Sequence, residues 1–416
     1  MKKWKSVAAG LAAVALLATG CGGSGDDKGG DASALDIWLP PLAVDNVDAE
    51  LWEDILKPFE EDNGIDVNVT IVPWDAFETK YLTGVSSGQG PDVGYMYTEM
   101  IGDYIAKDQI VALDDKVTDA QRENLIFLDR GEINGSQMMM PFVVGGARVL
   151  FYNKELFAKA GITEPPANWD DLVEVSLALR EAGIEPLAMP WGDPNRGSMN
   201  AQFFPFVWQA GGQLFEADGS ATKFDSPEML KAAEYLKRLK DEGVIGDSVT
   251  GLTTEVARKT FESGDVAMYI ASEADAPYFD NAGIDYGFVI SLTDQQQGTF
   301  IALDSLVMLK GCSDQEACYK LMSFITEGPQ MTKFHAKTNF PPIGRDEQSN
   351  YPEEMLAIYT ENTDMLYPLP VVANGPAAYN TLYSNLQQML GGSKTPEQAL
   401  ADAAAEGNTA LSQGVQ

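Results

Sequence analysis

Apolar residues recur along this chain in two alternating rhythms. Residues 35–39 (Leu-Asp-Ile-Trp-Leu) carry the period-two pattern of a half-buried strand, stopped by Pro40-Pro41. Over 48–62 the rhythm becomes helical, with Leu51, Trp52, Ile55, Leu56 and Phe59 on one face and Asn63-Gly64 as the stop. A strand over 66–72, a helix over 76–85 and a strand over 93–97 follow, the last entered through Gly88-Gln89-Gly90-Pro91-Asp92. Strand, helix, strand, helix, strand at this spacing predicts an α/β layer.

The pattern changes between Met140 and Phe157. Two β-prone runs, 141–144 and 149–152, are joined through Gly145-Gly146-Ala147-Arg148, and a helical pattern starts at Asn153. Gly-Gly within a strand pattern marks a bulge, a bend or a close approach to the backbone. A kinked strand in one core and a strand passing from one lobe to another both fit. Downstream, helices are predicted over 154–160, 169–182, 201–209, 227–242 and 253–263, and strands over 186–189, 266–270 and 306–309. From 314 onward the pattern is helical, over 314–326, 329–338, 353–361, 377–390 and 396–411. No internal repeat is visible.

At 416 residues the chain exceeds the size at which one core stops growing, so two lobes are expected. A formal charge of −34 argues against nucleic acid, whose phosphates need a basic face, and against an anionic membrane surface. Residues 1–20 read as an export signal: Lys2, Lys3 and Lys5 precede a short apolar run over 7–17, too short to span a bilayer. Leu17-Ala18-Thr19-Gly20-Cys21 resembles a bacterial lipobox, which implies a diacylglycerol on Cys21 as the membrane anchor. Residues 21–34, rich in Gly, Ser and Asp, then form a flexible tether. Export to an oxidising compartment favours a disulfide between Cys312 and Cys318, with a pair of free thiols as the alternative. Two cysteines without a nearby histidine cannot fill a tetrahedral metal shell.

No catalytic constellation stands out. The single histidine, His335, has no partner histidine, and neither a nucleophile elbow nor a phosphate-cradling loop is present. What recurs is an aromatic residue beside polar groups in loops after strands. Trp74 follows Val72-Pro73; Tyr95 and Tyr97 end a strand before Glu99; Trp191 lies close to Asp193, Asn195 and Arg196; Glu273 and Asp275 follow the strand over 266–270. Asp304, just ahead of the strand over 306–309, joins this set. Ligands of open α/β sheets lie beyond the carboxyl ends of strands. An aromatic face covers the apolar side of a pyranose, and carboxylates, amides and arginine pair with its hydroxyls. For any one of these aromatics, packing in the core or at its rim is an equal alternative.

Several segments carry a resemblance. Phe77-Glu78-Thr79-Lys80-Tyr81 followed by Ser86-Ser87-Gly88-Gln89-Gly90-Pro91-Asp92, the run from Pro141 to Lys154, and Asn168-Trp169-Asp170-Asp171-Leu172 are similar to extracellular solute-binding lipoproteins of sugar ABC transporters, the family that includes maltose-binding protein. Phe261-Glu262-Ser263-Gly264-Asp265-Val266-Ala267-Met268 and Lys394-Thr395-Pro396-Glu397-Gln398-Ala399-Leu400 match further signatures, in the same order. The resemblance implies two α/β lobes closing on ligand about a hinge. Carried onto this chain, lobe 1 is 35–145 plus 302–342 and lobe 2 is 146–301 plus 343–416. Glu78 and Glu99 fall where the maltose binder places sugar-contacting carboxylates. Asp193 and Asn195 occupy a similar loop, and Tyr379 lies near a stacking tryptophan. Gly146 stands where that relative has a ligand-contacting glutamate, and Glu273-Ala274-Asp275 replaces another stacking tryptophan. The resemblance therefore does not carry a maltose pocket with it. Arg148 becomes either a donor to a sugar hydroxyl or a structural salt bridge.

The expectation is a monomeric, lipid-anchored, extracytoplasmic bacterial receptor that captures an oligosaccharide and passes it to ABC permease subunits, without cofactor, metal or catalysis. Two rivals are a polyamine or other cationic solute in the same cleft, suggested by the acidic loops, and a lipid-anchored glycosidase.

Overall fold

A computed structural model describes residues 34–194 and 196–413. The export signal, Cys21 and the tether up to residue 33 lie outside the described residues. The principal strands are β1 (Ala34–Leu39), β2 (Asp66–Ile71), β3 (Val93–Tyr97), β4 (Met140–Gly145), β5 (Arg148–Asn153), β6 (Glu185–Ala188), β7 (Val266–Ser272), β8 (Tyr286–Val289) and β9 (Ala302–Met308).

They form two sheets. The first has the order β2-β1-β3-β9-β4 and the second β8-β5-β7-β6. In the first, β1 pairs parallel with β2 and β3, whereas β9 runs antiparallel to both β3 and β4. The second joins β5 antiparallel to β8 and β7, with β6 parallel to β7. The helices Asp48–Asn63, Gln315–Ile325 and Gly328–His335 pack together on the first sheet's side. There Trp52 and Phe142 meet at 5.9 Å between ring centroids. Helices Pro227–Asp241, Gly375–Leu390 and Pro396–Gln413 pack together beside the second sheet, over a core that stacks Trp169 on Tyr235 at 4.2 Å.

Gly145-Gly146 connects these sheets. β4, buried at every position, belongs to the first sheet, and β5 to the second. The crossing strand is the reading the structure takes. Gly146 sits at φ +64°, a conformation that costs a side chain strain but glycine little. A second crossing runs beside the first: Ala302 pairs with Gly145, and Ile301 donates its N–H to the carbonyl of Tyr367 at 3.1 Å. The first core continues through Phe151, Phe261, Tyr269 and Phe279 into the second sheet, so the connection is packed as well as bonded.

Two elements differ from expectation in ways that matter for the site. Helix Thr98–Ala106 was not expected, because its run is short and contains Gly102. The single helix expected over 201–209 is two, Met199–Gln202 and Phe204–Gln209, broken at Phe203. Pro205 has no N–H to give the preceding turn, so it opens a new helix instead of continuing the old one. Strand β8 was also missed; all four of its residues are half-buried, so no alternation marks it.

Candidate functional site

The loops beyond the carboxyl ends of β2 and β3 carry one wall. Tyr95 and Tyr97, two residues apart on β3, point to the same face. The Tyr97 hydroxyl donates to Glu78 in the first turn of helix Phe77–Ser87, and the Tyr95 hydroxyl donates to Asp304 on β9. β9 is irregular between Asp304 and Ser305; a bulge there re-aims a side chain at the end of its pairing. Burial pushes the Asp304 carboxyl up to about 7, against the lowering effect of the Tyr95 bond. Trp74, 49% exposed, leans on Phe77 at 5.3 Å and stands edge-on to Tyr95 at 6.0 Å. It is an exposed aromatic residue packed on two other rings.

The opposite wall follows β6. Arg196 there forms an ion pair with Glu99, Nη2 to Oε1 at 2.8 Å, with each side chain about a quarter exposed. Glu99 occupies the first turn of Thr98–Ala106, where the helix dipole favours an anion. The pair joins an element of the first sheet to a loop of the second and so crosses the cleft. Below it lies a cavity of 230 Å³ lined by Glu99, Arg196, Asn200, Phe204, Leu369 and Tyr379. The Tyr379 hydroxyl is buried there without a hydrogen-bond partner among the described residues. Outside the pair opens a groove of 610 Å³, whose walls include Glu78, Tyr97, Asp103, Lys107 and Asn380. A third cavity, 350 Å³, adjoins at Gly197 and is walled by Arg148, Asp193, Gln202, Tyr269, Ser272 and Asp275. Gln202 also buries an unpartnered carbonyl oxygen.

Glu78, Tyr97, Glu99, Arg148, Asp193, Asp275 and Tyr379 thus line these adjoining cavities of one interlobe crevice, whereas Trp74 and Asp304 line none of them and contact Tyr95 instead. Asp193 is partly engaged, since its carboxylate accepts from the N–H of Thr254 at 3.0 Å and from that residue's hydroxyl. Asp275 is raised in pKa by burial, against the pull of Arg148 and Arg258. Arg148 donates to the carbonyl of Gly146 at 2.5 Å and lies 5.2 Å from the Phe300 ring centroid. No carboxylate among the described residues lies within ion-pair distance of it, so it makes no direct salt bridge there.

Other expected residues sit elsewhere. Trp191 is fully buried and stacks on Tyr383 at 5.8 Å, so it supports the loop and does not line the cleft. Tyr95 is buried beneath Trp74, bonds Asp304 and lines none of the three cavities. Glu273 is 1% exposed, and its carboxylate accepts from the Tyr351 and Tyr359 hydroxyls. Its N–H donates to the carbonyl of Ala147, whose own N–H donates to Tyr359, so Glu273 ties the crossover in place. Gly146 lies in that crossover next to Arg148. Asn195 lies outside the described residues. Cys312 and Cys318 are joined in a disulfide, so their sulfurs are not available beside Asp92 for a metal.

Arg196, Asn200 and Gln202 were not among the expected site residues. Arg196 stands in the same short loop as Trp191, but only the approach of Glu99 from the other sheet reveals its role.

Among the described residues no helix is long and apolar enough to cross a membrane. The chain is 26% identical to a binding protein of Brucella abortus (strain 2308), over 99% of each chain. It is 28% identical to the sn-glycerol-3-phosphate-binding periplasmic protein UgpB of Shigella flexneri, over 67% of this chain and 68% of that one. In fold it is similar to the cyclic alpha-maltosyl-1,6-maltose binding protein of Arthrobacter globiformis, with a TM-score of 0.76 at 20% identity, covering 92% of this chain and all of the other. The profile of bacterial extracellular solute-binding proteins matches residues 44–331, more than half of the chain, and the protein belongs to that family.

Proposed function

We propose that this protein captures a sugar, an oligosaccharide, in the crevice between its two sheets and delivers it to the permease of an ABC importer. The carrying observation is the convergence of Glu78, Tyr97, Glu99, Arg196 and Tyr379 on one crevice drawn from both halves of the chain, with the exposed ring of Trp74 packed on Phe77, the neighbour of Glu78. An exposed aromatic face and charged groups that bond hydroxyls are what a pyranose requires. The buried Tyr379 hydroxyl supports the same reading, since a buried polar atom left unpaired costs about 1–3 kcal/mol until something bonds it. Contacts from both walls exist together only when the crevice is closed, so ligand shifts the population toward closure. The Arthrobacter protein's sugar ligand is consistent with this choice. Arg148 and Arg196 in the walls speak against a polyamine. The carboxylates of Glu78 and Glu99 are engaged by Tyr97 and Arg196 as acceptors, which suits binding better than glycoside hydrolysis. Lobes divided as 35–145 plus 302–342 and 146–301 plus 343–416, and a lipid at Cys21 holding a monomer outside the cytoplasmic membrane, complete the reading.

One observation favours a second ligand class. Arg148 lines the third cavity without a direct carboxylate partner, and the Shigella relative is a glycerol-3-phosphate binder, so a phosphorylated polyol is the rival. Calorimetric titration of residues 22–416 with a panel of neutral oligosaccharides and with sn-glycerol 3-phosphate separates them. A saturable neutral glycan, weakened about tenfold by Glu99→Gln or Tyr379→Phe, is the expected result. Saturation by the phosphate alone, lost in Arg148→Gln, would replace the sugar.

A further inference from the structure

A cavity of 580 Å³ lies apart from the crevice and shares no lining residue with the three cavities described above. One wall comes from Ala276, Pro277, Asp280 and Tyr286, beside the second sheet. The other comes from the segments around His335–Phe340 and Ser349–Met355. Glu273 lies between the two walls. Ser272 and Asp275, its near neighbours, line the crevice-side cavity instead, so the turn after β7 serves two separate spaces.

Three features of this cavity point to a ligand. First, polar atoms are buried in its walls without partners. The Thr338 hydroxyl and the His335 Nε2 have no hydrogen bond among the described residues, and these residues are only 7% and 8% exposed. The other imidazole nitrogen, Nδ1, is 2.7 Å from Glu347. Second, the charge is one-sided. The lining carries the exposed carboxylates of Asp280 and Glu354 and no lysine or arginine; the carboxylate of Glu273 is already held by the Tyr351 and Tyr359 hydroxyls. Third, aromatic rings stand among those acids. Tyr286, Tyr351 and Phe340 line the same space, and burial, followed by Asp280 and Glu354, raises the Tyr286 phenol to about 12.

A cation is drawn to ring faces and to carboxylates together. The unpaired hydroxyl and imidazole nitrogen call for a polar group on the same ligand. The volume is that of a small-molecule site. We propose that this cavity is a second ligand site, for a small organic ammonium ion that also carries a hydroxyl.

The site is independent of what the crevice binds. Choline is the probe, and 3,3-dimethyl-1-butanol, which has the same shape without the charge, is the control. Calorimetry on residues 22–416 is expected to give saturable binding of choline and at least tenfold weaker binding of the alcohol. Asp280 and Glu354 are exposed, so the double variant Asp280→Asn, Glu354→Gln is expected to keep its thermal melt while losing about tenfold in choline affinity. Thr338→Val is expected to weaken choline several-fold. Glu99→Gln in the crevice is expected to leave choline binding unchanged. No choline binding, equal binding of the neutral alcohol, or loss in Glu99→Gln but not in the double variant would each overturn the assignment. The last would put the cation in the crevice.

Discussion

Asp304, bonded to Tyr95 beside the crevice wall, carries a strongly shifted carboxyl. Its folded-state pKa near 7 lies above the ordinary value of 3.8 because burial disfavours the anion. Between these values the folded chain holds a proton that the unfolded chain has released. This group's contribution to stability therefore falls as pH rises from about 4 to about 7. Asp304→Asn keeps an acceptor for the Tyr95 hydroxyl and removes the charge. The variant is expected to melt about 2–4 °C above the parent at pH 8 and to match it near pH 4. An equal difference at both pH values would show that ionisation of Asp304 is not the cause. The sequence marks Asp304 only as an acid near a strand start. The bulge that aims it and the tyrosine beneath it arise from three strands brought side by side.

Helix Thr98–Ala106 shows how a close approach overrides propensity. Alanine is better than glycine in a helix interior by about 1 kcal/mol, so Gly102 looks like a defect. A Cβ at that position would stand 2.5 Å from the backbone carbonyl carbon of Val372. Overpacking against a backbone that cannot rotate away costs about 1–3 kcal/mol, so the steric effect outweighs the propensity. Gly102→Ala is expected to lower the urea midpoint and to weaken ligand, because this helix carries Glu99 in its first turn. A raised midpoint would mean that the Val372 segment yields freely. Elements with a long, clean period were legible: the helix expected over 48–62 is Asp48–Asn63, and the strand expected over 93–97 is β3. Those missed were short or evenly half-buried, such as β8, or consisted of two residues, such as Thr299–Phe300 and Leu366–Tyr367. A two-residue strand has no period to read; it exists because another segment lies beside it.

For the molecule as a whole, the Glu99–Arg196 pair is a latch between the two halves. Part-exposed ion pairs contribute about 0.5–1 kcal/mol, enough to change an open-to-closed ratio a few-fold but too little to lock it. Arg196→Ala is expected to enlarge the ligand-free radius of gyration in X-ray scattering, with saturating ligand restoring the compact form. An unchanged radius would place the closure energy in the packed crossovers instead. The sequence by itself determined the two-sheet α/β plan, because alternating strand and helix periods in so long a chain leave few other ways to bury the apolar faces. It also marked Gly145-Gly146 as a special backbone position, and the loops after the strands as the place to look for a site. Only the tertiary structure decided which members of those loops meet. It turned Trp191 inward, spent Glu273 on the hinge tyrosines, and set Arg196 against a glutamate 97 positions away. Periodicity reports which face of an element is buried; which partner covers that face depends on contacts between elements far apart in the chain.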